Sequence, residues 1–456
     1  MAKRKLKGNP NATISMPVVN PNAAGIDAGS RSHFVCVAQD NVKEFPTHTA
    51  GLHEICQHFE SYGVKTVAIE STGFYWQQLF AMLQSYNIEV IVINARHLKN
   101  VKGHKTDVVD SKWIQLLHSI GLLDNSFQPN DFCKELRQYT RHRRSLIQNS
   151  TRYIAKMNKS MVLMNIQLKT VLSDLTGESG LKVIQAIVNG ERNPDVLEKL
   201  VGRNVKAKRE AIKKALFGDW RSEHLFELSQ NFDFYQFTWG KIKETDQQIE
   251  IILEKWQNEN GDESKAQEYK QNKRRKKPSQ KNDPKFDVKA FAYQMSDGVD
   301  LSQIEGVNVN TILTIMSETG FNLKSKFKTA KHFASWLGFA PNRKITGGKV
   351  MSSNTPKVKS PMVYAIRQAA NAAGNSRSRL GDFFRRISYR KGRTVAITAT
   401  ARKIAVIIYK MLETGQEYCY EYSQNEMNRI RKAQIRRVNK AITSFDLNSS
   451  ELVMTI

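Results

Sequence analysis

The sequence predicts an α/β domain, then a helical middle region, then a mostly helical C-terminal domain. Early in the chain, short runs of β-branched residues alternate with helical patterns. In the middle, strand patterns stop and apolar residues recur at spacings of three and four. A polar, basic stretch precedes the last periodic segment. The predicted division is a flexible arm at 1–21, the α/β domain at 22–128, the helical region at 129–256, a disordered basic linker at 257–285, the C-terminal domain at 286–425 and a basic tail at 426–456.

The α/β domain is expected to begin with a strand hairpin and to continue with alternating helices and strands. Strand patterns occupy residues 24–27, 34–37, 42–45, 64–70 and 88–93. Helical patterns occupy residues 51–59, 76–86 and 106–120. In the last of these helices, Val109, Trp113, Leu116 and Leu117 share one side, which the spacing predicts as the apolar face.

The charge balance indicates a polyanionic partner. The 456 residues contain 70 Lys and Arg against 43 Asp and Glu, a formal net charge of +27. A hydrophobic content of 40% excludes a wholly disordered chain, and no apolar run is long enough to span a membrane. No secretory signal is evident at the N-terminus, and the four cysteines form no CxxC pair. These features predict a cytoplasmic protein that binds nucleic acid.

The helical middle region carries a basic face. Arg141, Arg143 and Arg144 lie in a stretch, residues 137–169, that contains no acidic residue. Such a face is suited to follow a phosphate backbone, although a solvated charged surface has the same pattern. The apolar spacing is compatible with an extended coiled coil and equally with a bundle packed on the first domain.

Four carboxylates of the first domain form a pattern. Asp27 and Glu70 each end a predicted strand, and Asp107 and Asp110 lie three residues apart near the start of a helix. Convergent carboxylates of this kind are what an RNase H-like nuclease needs to hold two divalent cations, and Mg²⁺ favours such oxygen ligands. Singly, each residue also suits a turn or a helix cap. Together, in a basic chain, they predict a metal site.

Basic residues precede the aspartate pair. Arg96, Lys102 and Lys105 are placed to hold a phosphate strand beside such a site. His97 and His104 lie in the same stretch, but two histidines without cysteine are weak evidence for metal ligation. We interpret both as phosphate contacts or surface residues.

The C-terminal domain contains a glycine-rich basic loop and two further nucleic-acid signals. In the loop, Lys344, Thr346 and Lys349 surround two glycines, and Ser352 and Ser353 follow, so that a hydroxyl is available to bind or attack phosphate. The residues alone favour a plain surface hairpin. Gly306, before a helix start, suits a backbone approach to phosphate. A dense basic cluster further on is either a phosphate track or a solvated helix face, and includes Arg385, Arg386, Arg390 and Arg393.

Several short motifs resemble the DEDD transposases of the insertion-sequence one-ten family. In the first domain they are Gly-Ile-Asp at 25–27, Glu-Ser-Thr-Gly at 70–73 and Lys-Thr-Asp-Val-Val-Asp at 105–110. In the C-terminal domain they are Leu-Gly-Phe-Ala-Pro at 337–341, Gly-Gly-Lys at 347–349 and Ala-Ile-Thr-Ala-Thr-Ala-Arg-Lys at 396–403. Their order is that of the family, and they extend over nearly the whole chain.

The resemblance implies a RuvC-like RNase H fold, a coiled-coil region and a helical transposase domain. It implies recombination of a mobile element guided by a noncoding bridge RNA that pairs with donor and target DNA. It further implies Mg²⁺ held by the four carboxylates, a covalent protein–DNA intermediate, composite sites shared between protomers of a dimer or tetramer, and a bacterial or archaeal, nucleoid-associated location. A positively charged protein that contacts the backbone and shape of nucleic acids suits a system in which base pairing between RNA and DNA supplies the sequence specificity.

One position departs from the family pattern. The family's loop usually contains Ser-Gly-Gly-Lys with serine as the nucleophile, whereas here Thr346 occupies that position. The β-methyl crowds the hydroxyl and restricts χ1, so Thr346, Ser352 or Ser353 are the candidate nucleophiles, and an impaired enzyme is the alternative. Two other functions compete: a Mg²⁺-dependent junction-resolvase-like nuclease without a covalent intermediate, and a binding scaffold with a decayed acidic site.

Overall fold

The computed structural model describes residues 17–38, 41–71, 73–94, 106–271, 280–418 and 424–445. The chain divides into two compact units, Met1–Gln128 and Pro129–Ile456. Within the described ranges, no helix combines the length and the apolar character that a membrane crossing requires.

The first unit is built on one mixed five-stranded sheet. Its strands are β1 Ala23–Ala28, β2 Ser32–Ala38, β3 Asn41–Pro46, β4 Thr66–Glu70 and β5 Glu89–Ile93. They are ordered β3-β2-β1-β4-β5. The first three form an antiparallel meander, and β4 and β5 continue from β1 in parallel. The predicted hairpin and the later strands that alternate with helices are therefore confirmed.

Helices cover both faces of this sheet. They are α1 Thr49–Ser61, α2 Trp76–Ser85 and α3 Asp107–Ser119. Alternate strand residues such as Ile26 and Ile69 enter one core with Ile55 and Leu79 from α1 and α2. On the opposite face Ala68 packs with Ile114 of α3. The helical and strand periodicities of the sequence thus produce three layers.

The buried side of α3 differs from the predicted one. Ser111, Ile114, Gln115 and His118 are buried, whereas Val109 is 50% exposed. Small and polar residues face the sheet because α3 passes directly over Gly25: a Cβ at that position would lie 2.3 Å from the Gln115 amide nitrogen. Polar side chains also bond there, since Gln115 Nε2 donates to the Ala23 carbonyl. Close packing, and not apolar spacing, decides the orientation of this helix.

Two long helices form the spine of the second unit. They are α4 Asp131–Leu163 and α9 Ser222–Asn260. Phe132 contacts Trp256 near one end and Tyr153 contacts Phe234 further along, so the two helices run antiparallel. The predicted helical character of this region is confirmed.

Four short helices are inserted between the two long ones. They are α5 Leu168–Val171, α6 Glu178–Val188, α7 Pro194–Lys199 and α8 Arg209–Leu216. Their apolar residues form a separate core with the adjacent ends of α4 and α9, in which Met161, Ile184 and Phe232 are fully or almost fully buried. We refer to these four helices as the helical insert.

The C-terminal part adds further helices and a small hairpin. The elements are α10 Glu263–Gln271, α11 Val288–Met295, a 3₁₀ turn at Leu301–Gln303, α12 Val309–Glu318, α13 Ala330–Trp336, β6 Lys344–Thr346, β7 Lys349–Ser352, α14 Pro361–Ala373, α15 Arg379–Lys391, α16 Arg393–Thr414 and α17 Gln424–Phe445. Their core includes Ile315, Phe333 and Ile404. Leu136 and Ile249 of the spine enter the same core, so spine and C-terminal helices are packed as one body.

The predicted disordered linker is wrong for part of its length. Residues 263–271 form α10. Residues 272–279, which contain most of the linker's lysines and arginines, lie outside the described residues. Beyond them, Lys281 donates to the carbonyl of Thr176, which lies just before α6, and the carbonyl of Asn282 accepts from Arg143 of the spine. The chain is therefore fixed again by specific polar contacts.

Gly306 has a packing role instead of the predicted phosphate role. Its φ of +87° lies in the left-handed region. A Cβ there would lie 2.1 Å from the Ala369 carbonyl oxygen of α14. The glycine thus allows the turn before α12 to touch the backbone of α14, which leaves no space for a ligand on that side.

Candidate active site

Asp27 and Glu70 lie at the same edge of the sheet. β1 and β4 are parallel neighbours with Ile26 opposite Ile69, so the next residue of each strand reaches the carboxyl end of the pair. Because side chains alternate between faces, Asp27 shares the face of Gly25, and Glu70 shares that of Ala68. That face is covered by α3. Both carboxylates are partly exposed.

The first turn of α3 carries Asp107 and Asp110 to this edge. Thr106 caps the helix, its Oγ1 accepting from the Val109 amide at 3.2 Å. Further along, Gln115 bonds Ala23 and His118 Nε2 lies 3.0 Å from Thr66 Oγ1, both at the amino ends of their strands. The helix therefore runs back along the sheet, and its N-terminal turn points toward the carboxyl ends of β1 and β4.

A buried, neutral histidine, His118, connects α3 to the sheet. His118 is 1% exposed, and desolvation lowers its pKa. The uncharged ring and the Thr66 hydroxyl form a hydrogen bond inside the core between α3 and β4. This contact fixes α3 relative to the sheet and so fixes the direction of its first turn.

The edge has the donor chemistry of a divalent-metal site. Four carboxylates supply hard oxygen ligands of the kind that Mg²⁺ prefers. Within the described part of the chain, no group of three or more His, Cys, Asp or Glu side chains is already gathered at ligand distance. The set fits such an ion by type and by placement on one edge. Arg96, Lys102 and Lys105, together with His97 and His104, lie outside the described residues.

The glycine-rich loop is a β-hairpin. Ile345 pairs with Val350 and Thr346 pairs with Lys349. Gly347 and Gly348 have φ values of +55° and +76°, as a two-residue type I′ turn requires at both central positions. The surface hairpin expected from the residues alone is confirmed.

Pairing sorts the hairpin side chains into two faces. Residues directly opposite share a face, so Thr346 and Lys349 lie together, with Ile345 and Val350 on the other side. The Thr346 hydroxyl and the Lys349 ammonium are both exposed. Ser352 pairs with Lys344 at the far end of the hairpin, away from the turn. A phosphate that reached Thr346 would thus meet a lysine on the same face.

Two of the three arginines predicted to contact phosphate from the spine, Arg141 and Arg143, are engaged in ion pairs. Arg141 makes two bonds of 2.8 Å to the Glu318 carboxylate. Arg143 is 3% exposed and pairs with the buried Asp246. The phosphate role predicted for Arg143 is therefore corrected: its guanidinium faces the interior. Arg144, partly exposed, lies over the Tyr364 ring at 5.1 Å.

The predicted basic cluster, on α15 and at the start of α16, also contains both engaged and exposed arginines. Arg385 donates to the carbonyls of Gly374 and Ser376 at 2.9 and 2.8 Å and also pairs with Asp382, so it closes the preceding turn. Arg393 donates to Asn371. Arg386 lies over the Phe383 ring, and Arg390 is exposed. Lys344, Lys349, Arg386 and Arg390 are exposed at the surface.

Sequence reasoning did not identify the residues that position the predicted site. Gly25 and His118 set the path of α3, while Asp246 and Glu318 neutralise the spine arginines. Gly25 lies two residues before Asp27 in the same motif, and its role in packing is apparent only from its contact with α3. Asp246 and Glu318 are far along the chain from their partners, and no spacing rule connects them.

Two protein-family models match the regions that contain the carboxylates and the hairpin. A transposase model of the DEDD type, IS110, matches residues 24–166, which contain all four carboxylates. A second model, transposase IS116/IS110/IS902 family, matches residues 300–384, which contain the hairpin. The comparison with curated proteins gave no match. The α/β sheet unit and the helical unit are thus those of a transposase, an enzyme that recombines DNA. The chain belongs to the IS110 family.

Proposed function

We propose that this chain is an RNA-guided DNA recombinase that cuts and rejoins strands through a covalent protein–DNA intermediate. The observation that supports the proposal is that Asp27 and Glu70 end neighbouring parallel strands and that α3, which begins with Asp107 and Asp110, runs with its first turn toward those strand ends. The order of the mixed sheet supports an RNase H-like, RuvC-like fold for the first unit.

The carboxylate edge would hold Mg²⁺. When bound, the ion stabilises charge that develops on a phosphoryl group. The protein's own contribution is orientation: the parallel pair β1 and β4 presents Asp27 and Glu70, and capped α3 presents Asp107 and Asp110. Loss of one ligand should remove several kcal/mol of transition-state stabilisation.

Thr346 is the proposed nucleophile of the transposase domain. Its Oγ forms a bond to phosphorus, the bond from phosphorus to a deoxyribose oxygen breaks, and that oxygen leaves as a hydroxyl after taking up a proton. The proton of Thr346 passes to solvent or to a basic group. Since the phosphodiester count is unchanged, the reverse step rejoins strands. Lys349, on the same hairpin face, would stabilise the charged phosphoryl oxygens.

The remaining parts of the proposal concern partners. The net charge of +27 supports simultaneous binding of donor DNA, target DNA and a noncoding bridge RNA, whose base pairing supplies sequence specificity. We further propose a dimer or tetramer with sites shared between protomers, located in the cytoplasm at the nucleoid. Sequencing of RNA that copurifies with the full chain tests the guide. Specific DNA binding by RNA-free protein would contradict it.

A trapped adduct tests the chemistry. DNA flanking the chain's own gene, carrying a nick that prevents rejoining, should give a protein–DNA adduct whose peptide mass spectrum identifies Thr346. Thr346→Ser should keep or raise the rate, because the crowding methyl is removed, while Thr346→Ala and Thr346→Val should abolish the adduct. Glu70→Gln should abolish cleavage and leave DNA binding intact. An adduct at Ser352 or Ser353 would move the nucleophile, and cleavage without any adduct would favour the resolvase-like nuclease.

A further inference from the structure

The β6–β7 hairpin exposes apolar side chains on the face opposite Thr346. Ile345 is 59% exposed and Val350 is 58% exposed. These two are direct cross-strand partners, so they form one continuous aliphatic surface. Met351, which opposes no residue of β6 because the register shifts there, is 71% exposed. In the described part of the chain, the two hydrophobic cores of this unit leave all three side chains out.

A free hairpin of this kind requires a partner. Two-stranded hairpins without a covering layer are marginally stable in water. Contiguous aliphatic residues on an exposed strand pair also favour aggregation unless they are covered in the working assembly. The apolar face therefore predicts a bound state in which Ile345 and Val350 are removed from water.

Charge identifies the class of that partner. Residues 319–381 contain no aspartate or glutamate, and Arg343, Lys344 and Lys349 of the hairpin region are exposed. A partner surface must therefore be anionic. A β-ribbon has dimensions that fit a DNA groove, and aliphatic side chains carried into a groove act as wedges between base steps.

The shape of the tip is consistent with such a role. Gly347 and Gly348 present no side chain, and an added Cβ at either would meet no atom within 4 Å. The end of the hairpin is therefore thin, so the widest apolar side chains stand one residue back from the turn. Thr346 and Lys349 occupy the reverse side, one residue nearer the turn.

We propose that the hairpin inserts Ile345 and Val350 between base pairs of the DNA and so unstacks the duplex beside the phosphate presented to Thr346. This deepens the proposed function, because the DNA is the same substrate. Separation of the bases would expose the strand on the Thr346 face while the aliphatic pair is buried against base planes. Thr346 and the wedge residues would thus act on one DNA step from two sides of one ribbon.

An unwinding assay tests the wedge without any chemistry. The full chain, with its copurifying RNA, is bound to a nicked circular plasmid of arbitrary sequence, ligase seals the nick, and gel electrophoresis reports the linking number. Insertion between base pairs unwinds DNA, so the wild-type protein should shift the topoisomer distribution. Ile345→Thr with Val350→Thr keeps β-branched strand residues but adds hydroxyls, and should lose this shift at equal bound protein.

Two controls make the result decisive. Ile345→Leu with Val350→Leu keeps an apolar surface and should retain the shift. Val196→Thr, at an exposed aliphatic position on the helical insert, should also retain it. Filter binding should show unchanged salt dependence for the Thr pair, because Lys344 and Lys349 are intact.

Four outcomes would overturn the proposal. They are absence of unwinding by the wild-type protein, full unwinding by the Thr pair, loss of DNA binding by both hairpin pairs, and a smaller assembly mass for the Thr pair, which would make a second copy of the chain the occupant. Adduct formation at Thr346 is measured separately. Unwinding without adduct would refute only the covalent chemistry, and adduct without unwinding would refute only the wedge.

Discussion

Gly25→Ala tests whether the close passage of α3 over the sheet sets the geometry of the acidic edge. The added Cβ would lie 2.3 Å from the Gln115 amide nitrogen and 2.7 Å from the Ser111 carbonyl oxygen. Both are backbone atoms, so no side chain can rotate away. Ordinary contact begins at 3.4 Å, and α3 must therefore retreat by about 1 Å. We expect the free energy of unfolding to fall by about 1–3 kcal/mol.

The same retreat should reduce catalysis. α3 carries Asp107 and Asp110, while Asp27 and Glu70 stay with the strands. A displacement of about 1 Å at reacting groups typically costs on the order of 100-fold in rate. Strand cleavage of DNA flanking the gene should fall by that factor while filter binding of DNA stays unchanged, since the substitution alters no charge.

Gly240→Ala is the matched control. Gly240 lies inside α9, and an added Cβ would meet no atom within 4 Å. Alanine should raise the unfolding free energy there by about 0.5–1 kcal/mol, because it lowers backbone freedom in the unfolded chain. Urea titration by circular dichroism measures both variants. Wild-type stability and wild-type cleavage in Gly25→Ala would refute the role given to the α3 contact.

Three further predictions concern the packing around the site. Arg143→Met or Asp246→Asn alone should lower the free energy of unfolding, measured by urea titration, by about 3–5 kcal/mol, because each leaves a buried charge unpaired. Replacement of both residues by apolar ones should cost far less, and additive losses would contradict the pairing. Gly306→Ala should lower the free energy of unfolding by roughly 1–3 kcal/mol, and a melting temperature equal to the wild type would show that the turn can move. Burial lowers the pKa of His118, so its contribution to stability is complete above about pH 6.5 and is lost as the pH falls, by at most about 1.4 kcal/mol per pH unit. Urea titrations between about pH 7 and pH 5 should show this slope reduced in His118→Gln, and an unchanged slope would exclude His118 as the titrating group.

The sequence predicts secondary structure well where the residues of a single helix, strand or turn determine it. Alternating and helical periodicities locate β1 to β5 and the long helices, and the Gly-Gly pair between short strands predicts the hairpin turn. These periodicities do not predict contacts between two elements. The buried side of α3 follows from Gly25 on a strand, and that contact is invisible to a helical pattern that counts only apolar residues. The helix over residues 263–271 was missed because its sequence is almost entirely polar.

The excess of basic residues likewise does not show from sequence alone which cations can bind phosphate. A pattern of arginines predicts a phosphate surface only if their partners are known, and in this chain several partners are distant in sequence. The Glu318 carboxylate forms an ion pair with Arg141, and the Asp246 carboxylate forms one with Arg143. Burial lowers the pKa of Arg137, which also pairs with Glu318. Arg137 and Arg141 thus join the spine to α12, and Arg143 joins the two spine helices to each other.

We therefore expect fewer residues to bind phosphate than the net charge suggests. Each neutralised phosphate contributes a slope of roughly −0.9 to the dependence of log affinity on log salt, so only exposed cations determine it. Arg390, Lys344 and Lys349 are exposed, whereas Arg385 is held by carbonyls and Asp382. Exposed charge is thus available on the hairpin that carries the hydroxyl proposed to attack DNA, whereas Arg137, Arg141 and Arg143 of the spine are engaged in ion pairs.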